Sequence, residues 1–195
     1  MRAFIAINLD AATQQMLAQL LRALQAAQPP MKLKWVAAES QHITLQFLGE
    51  ISAASARDVQ RMLPPLVSAF ASFELTFAQL GCFPNDRKPN VLWLGVSEPS
   101  RTLARLQSAL SATLACLGFA PDVRPFQPHL TLARVPHGAR EAAPPGAGGL
   151  GVWLDERPPP VPHTMRATAV HLMQSELSLS GARYTPLAEF KLTCA

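Results

Sequence analysis

Charge is scarce in this chain. Only 15% of its 195 residues are Asp, Glu, Lys or Arg, against 49% hydrophobic, which excludes a disordered or collagen-like polymer and fits a globular protein. Cysteine is scarcer still. Cys82, Cys116 and Cys194 are odd in number, far apart and in no paired spacing, which argues against a disulfide framework or a structural metal site and makes a reducing cytoplasm the expected location. No apolar run approaches the roughly 18 residues of a membrane span. The apolar stretch after Arg2 stops at Asp10, too soon for a signal peptide, so no membrane partner is expected. Nor is there a strong excess of one sign. The net charge of +4 permits a polyanionic partner such as RNA without requiring one.

What is present alternates between strand and helix signals. Ala3–Leu9, Leu33–Val36, His42–Leu48, Phe73–Phe77, Val91–Val96, His129–Val135, Ala167–Met173 and Ala188–Thr193 read as strands. Asp10 is placed to cap a first helix with Met16, Leu17, Leu20, Leu21 and Leu24 on one face. Ser52 or Ser55 opens a second, which Pro64-Pro65 should kink or break. Ser100 is placed to cap a third, in which Leu103, Leu106, Leu110, Leu114 and Leu117 repeat at helical spacing up to Gly118, where a C-terminal cap belongs. Strands joined by short loops and mixed with three helices predict an α+β fold in a single domain over residues 1–195. Residues 136–164 are rich in Pro and Gly and read as a long surface loop, in which Val152-Trp153-Leu154 offers an apolar contact to the body.

One pattern carries chemistry. His42-Ile43-Thr44-Leu45 is repeated as His129-Leu130-Thr131-Leu132. Two of five histidines acquiring Thr at +2 and Leu at +3 by accident is an event of about one in two thousand shuffles. On a strand, residues two apart share a face about 6.6 Å apart, so each motif presents an imidazole and a hydroxyl while its apolar residues anchor it from behind. Two such pairs facing one cleft suit a tetrahedral anion such as phosphate. One imidazole can accept a proton from water while the other donates one to the leaving oxygen, and the threonines bond the nonbridging oxygens. The scheme calls for no metal and no cofactor, and no Asp or Glu falls within either motif to complete a ligand set.

At this point the sequence resembles the 2H phosphoesterases, and within them the RNA 2′,3′-cyclic phosphodiesterases, also called 2′-5′ RNA ligases. The likeness includes Arg2-Ala3-Phe4-Ile5-Ala6-Ile7, Trp35-Val36, His42 to Glu50, Leu92-Trp93-Leu94-Gly95, Arg124 to Arg134, and Ser175 with Gly181-Ala182-Arg183-Tyr184. It implies a bilobal fold, two antiparallel sheets facing a central cleft with helices packed outside. It also implies hydrolysis of a 2′,3′-cyclic phosphate to the 2′-phosphomonoester, with RNA ends or cyclic nucleotides as substrate. The resemblance makes His42 the proton donor and His129 the proton acceptor; the two motifs are too alike for the residues alone to decide. Phe47 and Arg134 stand five residues after each His, where the family places groups that touch nucleotide or phosphate. Strict alternation turns both away from the cleft, with Gln46 and Ala133 on the active side, unless the strand ends or bulges first. Pro136 supplies an early strand end after Arg134, which is therefore a candidate phosphate ligand, whereas Phe47 is a candidate contact that alternation assigns to the core.

Tyr184, after a Gly-containing turn, is a further candidate at the cleft edge. Trp35 and Trp93 read as core aromatics able to stack a base. His137 and His163 are expected in solvent, and His171 on a strand surface. A monomer is expected. Two other functions compete: 2′-5′ phosphodiester ligation or cleavage by the same acid–base pair, and an RNA- or nucleotide-binding module without turnover.

Overall fold

The computed structural model describes residues 1–85, 88–137, 149–178 and 181–194. In chain order its elements are β1 (Arg2–Asn8), α1 (Ala11–Ala26), β2 (Lys34–Trp35), β3 (His42–Glu50), α2 (Ala53–Val67), β4 (Phe73–Phe83), β5 (Val91–Ser97), α3 (Thr102–Cys116), β6 (His129–Arg134), α4 (Gly149–Asp155), β7 (His163–Ala167), β8 (Ala169–Ser178) and β9 (Gly181–Lys191). A short 3-10 turn, Ala38–Ser40, links β2 to β3. The strands form two antiparallel sheets, β3-β1-β8-β9 and β2-β6-β5-β4-β7, with one motif strand in each. The α+β architecture expected from the sequence is present.

Each helix buries the stripe its spacing dictates. Asp10 accepts the Thr13 amide at 2.8 Å and caps α1, whose Leu17, Leu21 and Leu24 are buried. Ser52 caps α2 through the Ser55 amide at 3.0 Å. That helix runs through Pro64 and Pro65 instead of breaking. The two prolines fall in the last turn, the carbonyls deprived of amide partners belong to Gln60 and Arg61 on its outer side, and fully buried Leu63 and Val67 hold the turn in place. In α3 the buried stripe is Leu103, Leu106, Leu110 and Leu114; truncating one of these to Ala costs about 2–5 kcal/mol. Its cap is not Ser100. Arg101 takes the N-cap place with φ 60°, and the Glu98 carboxylate accepts the Leu103 amide at 3.0 Å and the Ser100 amide at 2.8 Å. Gly118, at φ 86°, closes the helix as expected, with its amide on Ala115 and that of Phe119 on Leu114.

Two helices, α1 and α3, do not stay with the sheet of the strands they follow. The chain leaves β1 in the first sheet, yet α1 packs on β7 of the second; α3 joins two strands of the second sheet, yet packs on β3 of the first, beside α2. The outer faces are thus covered by helices of interlaced parentage, and the faces bearing the motif residues are left open to the cleft. The expectation of a loop over 136–164 needs correction. Residues 138–148 lie outside those described, but Gly149–Asp155 forms a fourth helix against β4, and His163 already begins β7. Trp153 anchors this segment. Its ring is buried, its Nε1 donates to the Ala27 carbonyl at 3.1 Å, and the Arg157 guanidinium stacks on it at 3.8 Å. Val152 points outward, so only part of the apolar triplet docks.

Candidate active site

The two motif strands bury their residues in the same order. His42 and Thr44 are half-buried on one face of β3, Ile43, Leu45 and Gln46 are buried, and Phe47 is exposed. In β6, His129 and Thr131 are half-buried, Leu130, Leu132 and Ala133 are buried, and Arg134 is exposed. Two consecutive buried residues mark a bulge, and the registers locate it. Thr44 pairs with Ala6 but Gln46 with Ile5, leaving Leu45 extra; Thr131 pairs with Trp93 but Ala133 with Leu92, leaving Leu132 extra. One extra residue reverses the alternation, so Phe47 and Arg134 return to the face of the histidines while Gln46 and Ala133 turn inward. The expectation of Phe47 in the core is thereby overturned: it is 58% exposed, whereas Gln46 is 4% exposed.

The backbone orients both imidazoles alike. His42 Nδ1 lies 3.0 Å from the Ser40 carbonyl, and His129 Nδ1 lies 2.7 Å from that of Gln127. A carbonyl only accepts, so each Nδ1 carries a proton and each Nε2 is left to exchange one. Around His42 stand two aromatic rings, Phe4 tilted at 4.6 Å and Tyr184 edge-on at 4.8 Å. Phe47 adjoins Phe4 at 6.1 Å. Around His129 the ring of Phe83 stands edge-on at 4.9 Å and packs in turn on Trp93 at 5.2 Å. Trp93 lies flat over Gly81, where a Cβ would fall 2.3 Å from the indole; no larger residue leaves room for that ring.

Electrostatics ties the two motifs into one site. Burial lowers the His42 pKa to about 4, opposed by the Ser40 hydrogen bond and assisted by the charges of Arg134 and His129. Burial also lowers that of His129, against its bond to Gln127, with Arg134 and Arg124 adding to the fall. Arg134 therefore acts on both imidazoles and His129 on His42, as the direct contact of β3 with β6 requires. Arg124 is held by Asp122, with guanidinium nitrogens at 2.7 and 3.1 Å from its carboxylate.

This arrangement has relatives. The family model of the 2′-5′ RNA ligase superfamily matches residues 13–178. The chain belongs to that superfamily. It is 31% identical over 191 residues to an RNA 2′,3′-cyclic phosphodiesterase of Methanothermobacter thermautotrophicus, covering 98% of both chains. It is 31% identical over 192 residues to one of Escherichia coli K12, covering 98% of this chain and 97% of the other. The crystal structure of E. coli LigT complexed with 3′-AMP superposes with a TM-score of 0.74 at 31% identity and 98% coverage of both chains. The resemblance to 2H phosphoesterases and their bilobal fold is thus established for this superfamily member.

The remaining sequence candidates are placed as follows. Tyr184 sits at the cleft against His42, in a small cluster with Phe4, Ala6 and Met173. Trp35 is half-buried against the main core. His137 is exposed, as expected. His163 is not a solvated histidine: its Nε2 lies 3.0 Å from the Thr13 hydroxyl, which is fully buried and has need of a partner. His171, opposite Ala6, shares the cleft face of β1, with Nε2 at 3.9 Å from Glu189. Sequence reasoning did not find Phe4, Phe83, Ser40, Gln127 or Gln41. Phe4 lies in a strand that is apolar on both faces, which erases the period-2 signal. Ser40 and Gln127 act through backbone carbonyls that every residue carries. The only sequence signal for them is their place two residues before each His.

Proposed function

We propose that this protein is a phosphodiesterase that opens RNA or nucleotide 2′,3′-cyclic phosphates to the 2′-phosphomonoester. The observation that carries the reading is the contact of two His-x-Thr-Leu strands, each bulged at its motif leucine, each with its imidazole Nδ1 on a backbone carbonyl and its Nε2 left to exchange a proton, with Arg134 acting on both. The names of the relatives, RNA 2′,3′-cyclic phosphodiesterase, support the cyclic phosphate as substrate, and the 3′-AMP in the E. coli structure supports a site that takes a nucleoside monophosphate.

In this scheme His129 Nε2 removes a proton from water, whose oxygen bonds to phosphorus opposite O3′. The P–O3′ bond breaks, and His42 Nε2 supplies the proton that O3′ takes up. Thr44, Thr131 and Arg134 receive the nonbridging oxygens as charge builds on them. Phe47, exposed beside Phe4, offers a face for the base, and Tyr184 holds the edge of His42. Burial favours the neutral form of His42, which runs against a donor. Two features favour its charged form in the complex: the Phe4 ring tilted over the imidazole, and a phosphate anion beside Nε2.

The test is to incubate the purified protein with each of the four 2′,3′-cyclic mononucleotides in excess chelator and to identify the product isomer. A 2′-phosphomonoester is expected. Binding without turnover would move the reading to a nucleotide-binding module, and a 3′-phosphomonoester would reverse the assigned leaving oxygen.

A further inference from the structure

Between β2 in one sheet and β3 in the other, the chain crosses the base of the cleft through the turn Ala38–Ser40 and then Gln41. While it runs beside β6 it pairs normally, Lys34 with Arg134 and Trp35 with Ala133, and the Val36 amide reaches the Leu132 carbonyl at 2.9 Å. It then turns away, one residue short of Thr131. The Thr131 carbonyl would be left without a strand partner beside the bulge at Leu132. The Gln41 side chain, 4% exposed, takes that place: its Nε2 donates to the Thr131 carbonyl at 2.8 Å and to the Val36 carbonyl at 3.2 Å. Both neighbours are carbonyl oxygens, which fixes the amide nitrogen as the atom that faces them.

Gln41 is also the residue immediately before His42. One side chain thus links the backbone of the first motif to the peptide that carries the second motif's hydroxyl and starts the bulge that returns Arg134 to the cleft. Nothing equivalent stands before His129, where the residue is Pro128. The first bulge has a weaker counterpart, Gln107 of α3, whose Nε2 lies 3.4 Å from the Leu45 carbonyl.

We propose that Gln41 is a positioning residue that holds the second-motif bulge, and with it Thr131 and Arg134, in register with His42. It touches no reacting atom, and the proposal rests on the phosphodiesterase reading above. A misplacement of about 1 Å at such a site costs on the order of 100-fold in rate. Gln41→Met keeps the volume and loses both hydrogen bonds. We expect kcat on a 2′,3′-cyclic mononucleotide to fall about 10- to 100-fold, with a smaller change in KM, because the loss is felt as charge develops on phosphorus. Gln41→Asn keeps a polar amide that is one methylene too short to serve both carbonyls, and should fall likewise while folding normally by circular dichroism.

The readout that separates positioning from general softening is a cycle with Thr131→Ala. If Gln41 acts through that peptide, the double variant loses little more than the worse single one. Full activity in either folded Gln41 variant, or losses that multiply with Thr131→Ala, would overturn the proposal. So would failure of both variants to fold, which would make Gln41 a residue of the fold alone. An inactive wild type would instead indict the phosphodiesterase reading.

Discussion

The two half-sites share a tetrapeptide, a bulge and a carbonyl behind Nδ1, yet they are not copies. His42 lies deeper, between Phe4 and Tyr184, and burial, with the charges of Arg134 and His129 adding to it, takes its pKa down to about 4. His129 meets one ring edge, Phe83, and has two arginines, Arg134 and Arg124, acting on it. Two imidazoles on similarly bulged strands therefore hold protons differently, because burial and neighbouring charge set the proton affinity. That inequality is what acid–base catalysis needs of two like groups.

Removing either ring breaks the comparison outright. His42→Ala and His129→Ala should each lower cyclic phosphodiester turnover by about 10²- to 10⁴-fold, and the double variant should be scarcely worse, as for groups that act as one unit. An aryl phosphodiester, whose leaving oxygen needs no proton, sharpens it. Turnover of that substrate should survive in His42→Ala and stay lost in His129→Ala; the opposite pattern would exchange donor and acceptor.

Next in size are the hydroxyls. Thr44→Ala and Thr131→Ala should each slow turnover by about 10²-fold, the loss of one donor from a prearranged anion site, with the fold intact by circular dichroism. Wild-type rates in both would remove the phosphate clamp from the mechanism.

Acidity tests the inequality itself. Both histidine pKa values are lowered, so kcat/KM should be bell-shaped with its summit below the ordinary histidine value of 6.5. The kcat profile should lie to the alkaline side of it, since a bound phosphate anion favours imidazolium. For stability, a His whose folded pKa is depressed binds its proton better when unfolded. Stability is then full above 6.5 and is lost as pH falls toward about 4. Thermal melts should show this loss in the wild type and less of it in His42→Phe.

The smallest effect belongs to Phe47. With 58% of its surface exposed, Phe47→Ala should leave the melting temperature within about 1 °C. It should raise KM for cyclic nucleotides a few-fold, as measured by steady-state kinetics, from lost stacking. An unchanged KM would return Phe47 to a surface role.

Much of this protein was legible in its residues. The heptad-like leucines of α3, the Asp10 and Ser52 caps, Gly118 and the paired His-x-Thr-Leu motifs are local signals, and local sterics and hydrogen bonding decide them. Three things were not legible. Alternation sent Phe47 and Arg134 to the wrong face, since a bulge depends on the register with Ile5–Ala6 and Leu92–Trp93 in other strands. Pro64-Pro65 reads as a break, and only the packing of Leu63 and Val67 carries α2 through it. The assembly of the site itself, with Phe4, Tyr184 and Phe83 around the histidines and Gln41 bridging the motifs, joins residues far apart in the chain. Sequence determined which groups are offered for chemistry, because that is a property of side chains and their immediate spacing. Tertiary structure decided where each points and how tightly it holds a proton, because burial and long-range pairing exist only once the two sheets are folded together.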